Sequence, residues 1–476
     1  MTHIILAMNR IKEVLDRKGI KQTWLAEQLG KSYNMVNSYV KNRQQPRLEV
    51  LIDIAKILDV DVVDLIVSSK KEMKKKKDAY SFIDLFAGCG GLTEGFYRQG
   101  FKALTHVEYD HYACESLRTR MKYYGYPENK ISVLEKDITS DDILDCIEKE
   151  IENEIVDLII GGPPCQAYSS LGRAKDENGM QTDPRNFLFE SYERILTHFK
   201  PKIFVFENVT GLLTAKLGNQ KILDIILNKL GVKYNLIANP NDMVLNSCDY
   251  GVPQVRKRII LIGVRKDIKL DPKDIYNGII KTHYSPETSD KEKVNKKKFV
   301  TVKDAISDLP FLYAGQGEKQ MKHKIKKWNE FLATIRTRDD NTILDHVARN
   351  HNDADKKRYH AMSKNKWTFQ ELLEKRPDLN HIKQRVFDNS YVVQFWDLPA
   401  RTIIAHLYKD GNQFIHPDSN QERTLTPREA ARLQSFPDDF VFEGSKTQQY
   451  KQIGNAVPPL MAEAIAKSIK KALLEL

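Results

Sequence analysis

Five apolar runs constrain the fold of this chain more than any other feature: SFIDLF (81–86), KALTHVE (102–108), IVDLII (155–160), KIFVFE (202–207) and RIILIGV (258–264). Each is short and nearly continuous, as suits a strand of a parallel sheet buried on both faces, and helical stretches alternate with them. The pattern predicts a doubly wound, Rossmann-like α/β sheet. Residues 265–398 lose this rhythm, turn basic and hold scattered aromatics. Core-like sequence resumes near 399 and predicts a closing helix from about 456.

A second constraint is the run SSKKEMKKKKD (68–78), which has six lysines and no apolar periodicity and reads as a solvated linker. Before it, apolar residues recur at helical spacing: Ile11, Val14 and Leu15; Trp24, Leu25 and Leu29; Val36, Tyr39 and Val40; Leu51, Ile54, Ala55 and Leu58. Gly30-Lys31-Ser32 separates the second helix from the third, with Ser32 placed to cap the third. Short helices joined by a Gly-containing turn suit a helix-turn-helix. The segment 22–42 resembles the phage-repressor family of helix-turn-helix domains, with Ala26 where close helix packing needs a small side chain. The resemblance implies DNA binding through a helix over 33–41 that presents Tyr33, Asn34, Asn37, Ser38 and Lys41.

Composition limits the class. Hydrophobic residues at 41% and charged residues at 29% describe a globular chain, without an apolar run long enough to span a bilayer. The opening MTHIILAM has no basic region or small-residue cleavage site, which argues against secretion. Cysteines 89, 114, 146, 165 and 248 are odd in number and form no CxxC pair, so neither a disulfide scaffold nor a metal site is expected, and the compartment is read as the reducing cytoplasm. The net charge of +11 is localised: residues 1–77 hold 16 Lys+Arg against 9 Asp+Glu, and 265–398 hold 28 against 20. Two basic modules around a slightly acidic core suit a polyanionic partner, although scattered solvated lysines would give the same total.

The chemistry gathers at the strand ends. The first strand runs into FAGCGG (86–91), whose glycines let the backbone turn tightly against a ligand. It is neither GxGxxG nor a phosphate-cradling P-loop. Glu108 ends the next strand, placed to hold ribose hydroxyls, and Asp137 follows VLEK, placed to accept from an adenine amino group. GGPPCQAYSS (161–170) sets Cys165 on a stiff loop after two prolines at a strand's carboxyl end, the position of a nucleophile. FVFENV (204–209) ends a strand on Glu207. QVRKR (254–258) sets Arg256 and Arg258 two apart at the start of another strand, so both should point to one face.

In order, DLFAGCGGL, VEYD, KDI, GGPPCQ, FENV, QVRKR, RTLTPREAARLQSFPDDF and QIGNAVPP make residues 80–264 and 399–476 resemble a DNA (cytosine-5) methyltransferase. The Asp/Asn-Pro-Pro-aromatic motif of the amino-methylating relatives is absent. The resemblance implies S-adenosylmethionine as methyl donor, Cys165 as nucleophile on carbon 6 of cytosine, Glu207 at ring nitrogen 3 and Arg258 at the exocyclic oxygen, with Arg256 supporting the loop or a phosphate. By the same carry-over Phe86, Gly88, Gly90, Glu108, Tyr109, Asp137, Ile138, Pro164, Leu188, Asn455 and Val457 hold the cofactor, and Gln166, Ser169 and Gln254 touch DNA. Residues 165–185 correspond to the loop that closes over DNA, but Leu171 stands where the family has a second serine.

The implied organisation is a helix-turn-helix domain over 1–67, a linker over 68–78, a catalytic core over 79–264, a target-recognition domain over 265–398, and 399–476 completing the core. The expected partner is double-stranded DNA, with no membrane, and the function is the modifying half of a restriction–modification system. The N-terminal module would regulate its own operon as a dimer, while catalysis needs one copy. Two alternatives stay open: an RNA (tRNA) cytosine-5 methyltransferase, and a DNA-binding regulator on an inactive methyltransferase fold.

Overall fold

Residues 9–65, 79–164, 188–322, 328–336, 341–380 and 390–476 are described by the computed structural model. The chain forms two units, Met1–Asp78 and Ala79–Leu476. In the first, helices α1 (Ile11–Lys18), α2 (Gln22–Gln28), α3 (Tyr33–Val40) and α4 (Leu48–Leu58) close around a core that includes Ile11, Leu25, Val36, Ile54 and Leu58. Gly30, at φ +61°, turns α2 into α3, and Ser32 caps α3 by accepting from the Met35 amide at 3.4 Å. Ala26 is buried. Trp24 departs from the expected core: it is 41% exposed, because Leu25 and Ala26 already hold the inward face of this seven-residue helix and Trp24 is rotated off it.

The second unit is built on one sheet. Strands β1 (Ser81–Leu85), β2 (Lys102–Glu108), β3 (Val133–Glu135), β4 (Leu158–Gly161), β5 (Ile203–Val209), β6 (Tyr234–Asn235), β7 (Val244–Asn246) and β8 (Lys257–Arg265) take the order β3-β2-β1-β4-β5-β8-β6, with β7 paired to β8. Pairings from β3 to β5 are parallel. Both faces are covered, which is why these strands read as continuous apolar runs. On one face Ile83, Leu85, Ile159, Phe204, Phe206 and Leu261 pack with helices α7 (Ile143–Ile151), α8 (Leu188–Phe199) and α9 (Ile222–Gly231). On the other, Phe82, Ile160, Val205, Ile260 and Ile262 pack with α5 (Gly91–Arg98), α10 (Pro272–Gly278) and the closing helix α16 (Pro459–Leu474). The remaining early helix, α6 (His111–Tyr123), is capped by Asp110, which accepts from the Ala113 amide at 3.0 Å.

One direction differs from expectation. Strand β8 is antiparallel to β5, pairing Arg258 with Val209 and Ile260 with Glu207. The chain leaves β5 at its carboxyl end, makes α9 and the short strands, and re-enters the sheet from that same end. An all-parallel sheet would have put Arg258 at the opposite edge.

The basic insert shares its core with the C-terminal segment. Helices α11 (Val302–Ile306) and α12 (Glu330–Ile335) bury Val302, Ile306, Phe331 and Ile335 against Leu425, Ala430, Phe436 and Tyr450. A further nucleus joins Tyr359 and Met362 of α13 (Asp353–Asn365) and Phe369 and Leu372 of α14 (Phe369–Lys375) to Val393 and Ile415. At the centre lies α15 (Pro427–Leu433), whose Thr426 and Glu429 form the expected capping box. Arg428 and Arg432 of this helix, and Arg423 just before it, are fully buried. Arg423 forks onto Glu429 at 2.8 and 2.7 Å, and Arg432 forks onto Asp438 at 2.8 Å twice while also reaching Asp308 and the Ala305 carbonyl of the insert. Arg336 adds a contact to Asp438 at 3.2 Å. Burial alone would raise the Asp438 carboxyl, but Arg432, Arg428 and Arg336 hold it below its usual range. Removing one partner strands buried charge. Asp438→Ala is therefore expected to cost about 3–5 kcal/mol of the second unit's stability, read as a lowered urea midpoint.

Candidate active site

Three strand ends build one side of the site. Between β1 and α5 the backbone is left-handed at Phe86, Gly88 and Gly90 (φ +56°, +56° and +93°), and a Cβ on Gly90 would stand 2.6 Å from Leu117. Only glycine meets both demands there. The turn is fastened by Glu108: its Oε2 accepts from the Gly88 amide at 2.8 Å, and its Oε1 from the Tyr109 and Asp110 amides at 2.9 and 2.8 Å. Three of about four acceptor sites on this carboxylate are used, leaving one, on Oε2. Burial raises the Glu108 pKa, partly offset by those amides. Beyond β3, Asp137 Oδ1 accepts from the Thr139 amide and hydroxyl at 2.9 and 2.8 Å, while Oδ2 accepts from nothing among the described residues. Ile138 is buried, Asp137 exposed, and Tyr109 is 72% exposed beside them.

The far wall comes from the C-terminal segment. A Cβ on Gly91 would lie 2.3 Å from the Val457 carbonyl, so α5 begins directly against Val457, with exposed Asn455 two residues away. Half-buried Leu188 opens α8 and packs on the sheet face that holds Ile83 and Leu85.

Across the crevice, the ends of β4 and β5 lie in register, Gly161 opposite Phe206. Gly162 is required by close approach, since a Cβ there would meet Glu207 Oε2 at 2.7 Å. Glu207 pairs with Arg258, Oε1 to Nε 3.0 Å, with only 12% and 11% of the two side chains exposed. Burial lowers the Arg258 pKa and Glu207 counters it. Asn208 donates to the Pro163 carbonyl at 3.2 Å and accepts from the Val209 amide at 2.8 Å, tying the end of β5 to the two prolines. The chain then runs through half-buried Pro164 towards Cys165, Gln166 and Ser169, which lie outside the described residues.

Two expected site residues are enclosed by the fold. Arg256 is 2% exposed, with Nη1 and Nη2 donating to the Ile403 and Gly454 carbonyls at 2.6 and 3.2 Å, and it feels the charges of Arg258 and Glu207. Gln254, expected to touch DNA, is fully buried. Its amide donates to the Leu433 carbonyl and Gln434 at 3.1 and 2.9 Å and accepts from the Ile403 amide at 2.7 Å. The reason is local: residues 253–256 are zipped to 400–403 through Ala400 and Thr402, and a buried polar side chain takes the partners that surround it. Both side chains brace the site without lining it.

On the helix-turn-helix unit, Tyr33, Asn34 and Lys41 are exposed, whereas Asn37 and Ser38 are half-buried and the Ser38 hydroxyl donates to the Asn34 carbonyl at 3.0 Å.

Sequence reasoning passed over Asn208, although its motif FENV was in view, and Asp84. The signal for Asp84 was an acid inside the apolar run SFIDLF. It is fully buried in β1, accepts from the Thr93 hydroxyl of α5 at 2.7 Å, and is pushed up to about 7 by burial, with Glu108 adding to the rise.

The chain belongs to the C-5 cytosine-specific DNA methylase family, whose family model matches residues 80–471. A helix-turn-helix family model matches residues 11–65. It is 34% identical over 457 residues to the type II methyltransferase M.Bpa9945I of Bacillus paralicheniformis, covering 82% of this chain and 98% of that one. The type II methyltransferase M.Sau96I of Staphylococcus aureus is 30% identical over 485 residues, covering 96% of each chain. Among solved structures, a prophage-encoded protein of E. coli described as a DNA modification methyltransferase superposes with a TM-score of 0.60 at 27% identity, covering 83% of this chain and 99% of that one. Among the described residues no helix is long and apolar enough to cross a membrane.

Asp84 makes stability depend on pH. A carboxyl that stays protonated in the fold adds stability in full below its unfolded pKa near 3.8, and loses it as pH rises through about 7. Asp84→Asn should flatten the fall in stability between about pH 4 and 7, read from melting temperatures, by no more than about 4 kcal/mol across that range. Parallel curves for the two proteins would contradict this.

Proposed function

We propose that this chain transfers a methyl group from S-adenosylmethionine to carbon 5 of cytosine in duplex DNA, at one short sequence, as the modification enzyme of a restriction–modification system. The observation that carries the reading is the Glu207–Arg258 pair, 3.0 Å apart at the carboxyl end of the sheet and directly beside Gly162, three residues before Cys165. The residues present fit the donor. The Gly88–Gly90 turn leaves room for backbone approach, Glu108 keeps one acceptor for a ribose hydroxyl, and Asp137 Oδ2 is open to an adenine amino group. Phe86, Tyr109, Ile138, Pro164, Leu188, Asn455 and Val457 are assigned to the same pocket. When bound, S-adenosylmethionine supplies an electrophilic methyl group.

Each remaining role falls to the chain's own side chains. Cytosine carbon 5 is a weak nucleophile, and addition of the Cys165 thiolate to carbon 6 makes the ring an enamine. Glu207 supplies a proton to ring nitrogen 3 as electrons arrive, and Arg258 orients Glu207 and stabilises charge at the exocyclic oxygen. Carbon 5 takes up the methyl group; loss of its proton to water then expels Cys165 as thiolate, and the nitrogen 3 proton returns to Glu207. A base inside a duplex is out of reach of a thiol at a sheet edge, so the target is flipped out. Arg256 has a supporting, positioning role, through the Ile403 and Gly454 carbonyls. The basic insert is the target-recognition region. Unit 1 binds an operator as a dimer and regulates transcription of its own operon, through Tyr33, Asn34 and Lys41. The enzyme acts in the cytoplasm, on the nucleoid.

Bisulfite sequencing of plasmid DNA from expressing cells tests the activity. Protected cytosines at one motif are expected, absent with Cys165→Ser and reduced roughly 100-fold or more in rate with Glu207→Gln. Soluble protein that protects no cytosine would point to RNA or to a regulator, and labelled S-adenosylmethionine with total RNA would separate those two. Deleting residues 1–77 should abolish binding to the promoter of its operon and leave methylation intact, measured by gel shift and bisulfite reads on the same preparation. Joint loss would refute separable modules.

A further inference from the structure

Among the described residues, strand β9 (Gly317–Lys322) pairs only with β10 (Thr342–Val347), and the two form an antiparallel ribbon apart from the main sheet. The two strands differ sharply in exposure. Thr342, Ile343, Asp345 and His346 are buried, whereas Glu318, Lys319, Gln320 and Lys322 are exposed. Strand β10 is a floor, and β9 is displayed on it.

The floor is pinned at five points. Arg428 Nε donates to the Leu344 carbonyl at 2.8 Å and its Nη2 lies 3.8 Å from Asp345. Gln449 donates to Asp345 at 3.0 Å, and the two ring nitrogens of His346 meet the Thr426 hydroxyl and the Pro310 carbonyl at 3.0 Å each. Helix α15 carries Arg428 at one end and Leu433 at the other, where the carbonyl takes Gln254, four residues before Arg258. A seven-residue helix is about 10 Å long. One short, buried helix thus couples the ribbon to the strand that bears the catalytic arginine.

What β9 displays is chemically specific. Glu318 and Gln320 share one face, and their side chains make no hydrogen bond or ion pair among the described residues. Lys322 lies on that face too and donates to the Thr342 hydroxyl at 2.8 Å, while Lys319 takes the opposite face beside Asp345. The major groove admits a two-stranded ribbon; a glutamine amide pairs bidentately with adenine, and a carboxylate accepts from the cytosine amino group. Side chains two residues apart on a strand stand about 6.7 Å apart, close to two base-pair steps.

The geometry points to β9 as a DNA-reading strand, with Gln320 and Glu318 at base edges and Lys319 and Lys322 at flanking phosphates. This rests on the DNA-methylation reading above. A charged, exposed edge strand also occurs simply to block edge-to-edge pairing, and the test separates the two.

The full chain and its Gln320→Ala, Glu318→Ala and Lys319→Ala variants are compared on a library of randomised sites, read by bisulfite sequencing, with duplex affinity measured against salt. Gln320→Ala should cut discrimination at one position about 10- to 100-fold. Glu318→Ala should relax a position about two base pairs away. Lys319→Ala should weaken cognate and unrelated duplexes alike and lower the salt slope by about 1. All three side chains are exposed, so melting temperatures should match the parent. Unchanged site preference and salt slope in these variants would overturn the assignment and leave β9 a blunted edge. A parent chain that methylates no DNA would overturn the underlying reading, and this one with it.

Discussion

The antiparallel pairing of β8 with β5 is the constraint on which the site depends. Hydrogen bonding between the strands sets Ile260 opposite Glu207 and Arg258 opposite Val209, which brings the first residues of one strand to the last residues of the other. The carboxyl end of a parallel sheet normally collects strand ends only. Here the reversed strand adds a cation to a place where five parallel strands deliver acids and turns. At 3.0 Å and nearly out of water, the Glu207–Arg258 contact is stronger than a surface pair and holds both groups in one orientation. Asn208 extends that order by one hydrogen bond to Pro163, so the loop that leads to residue 165 starts from a fixed point.

Behind the site, polar groups do what apolar packing does elsewhere. Residues 253–256 and 400–403 are laced together by backbone and side-chain hydrogen bonds, with Gln254 and Arg256 fully enclosed between them. The buried ion pairs around Arg423, Arg428 and Arg432 extend the lacing into the insert through Asp308, Leu344 and Asp345. Such pairs add little net stability, because desolvation consumes most of the Coulombic gain. Their value is directional: each guanidinium has a fixed fork of donors, so the segments it joins have one relative placement. That suits a site whose walls come from distant parts of the chain.

Much of this is legible in the sequence, and for physical reasons. Strands covered on both faces must be apolar throughout, so the runs beginning at 81, 102, 155, 202 and 258 announce themselves. Capping is local, so Ser32 and the Thr426–Glu429 box are readable from four residues of sequence. Trp24 is misread because helical periodicity gives spacing and not which of two adjacent large residues faces inward. Gln254 is misread because a motif reports that a residue type is wanted, not whether water or another segment surrounds it.

The sequence by itself determined the kind of sheet, the glycine turn, the acids at successive strand ends and the family to which they belong. All of these follow from residue type and short-range spacing. Only the tertiary structure decided the direction of β8, the enclosure of Gln254 and Arg256, the buried state of Asp84 and the display of β9 upon β10. Those depend on contacts between residues far apart in the chain, as between Arg256 and Gly454, 198 positions away. Burial, dielectric and the pairing of charges are properties of the assembled neighbourhood, and no local pattern encodes them.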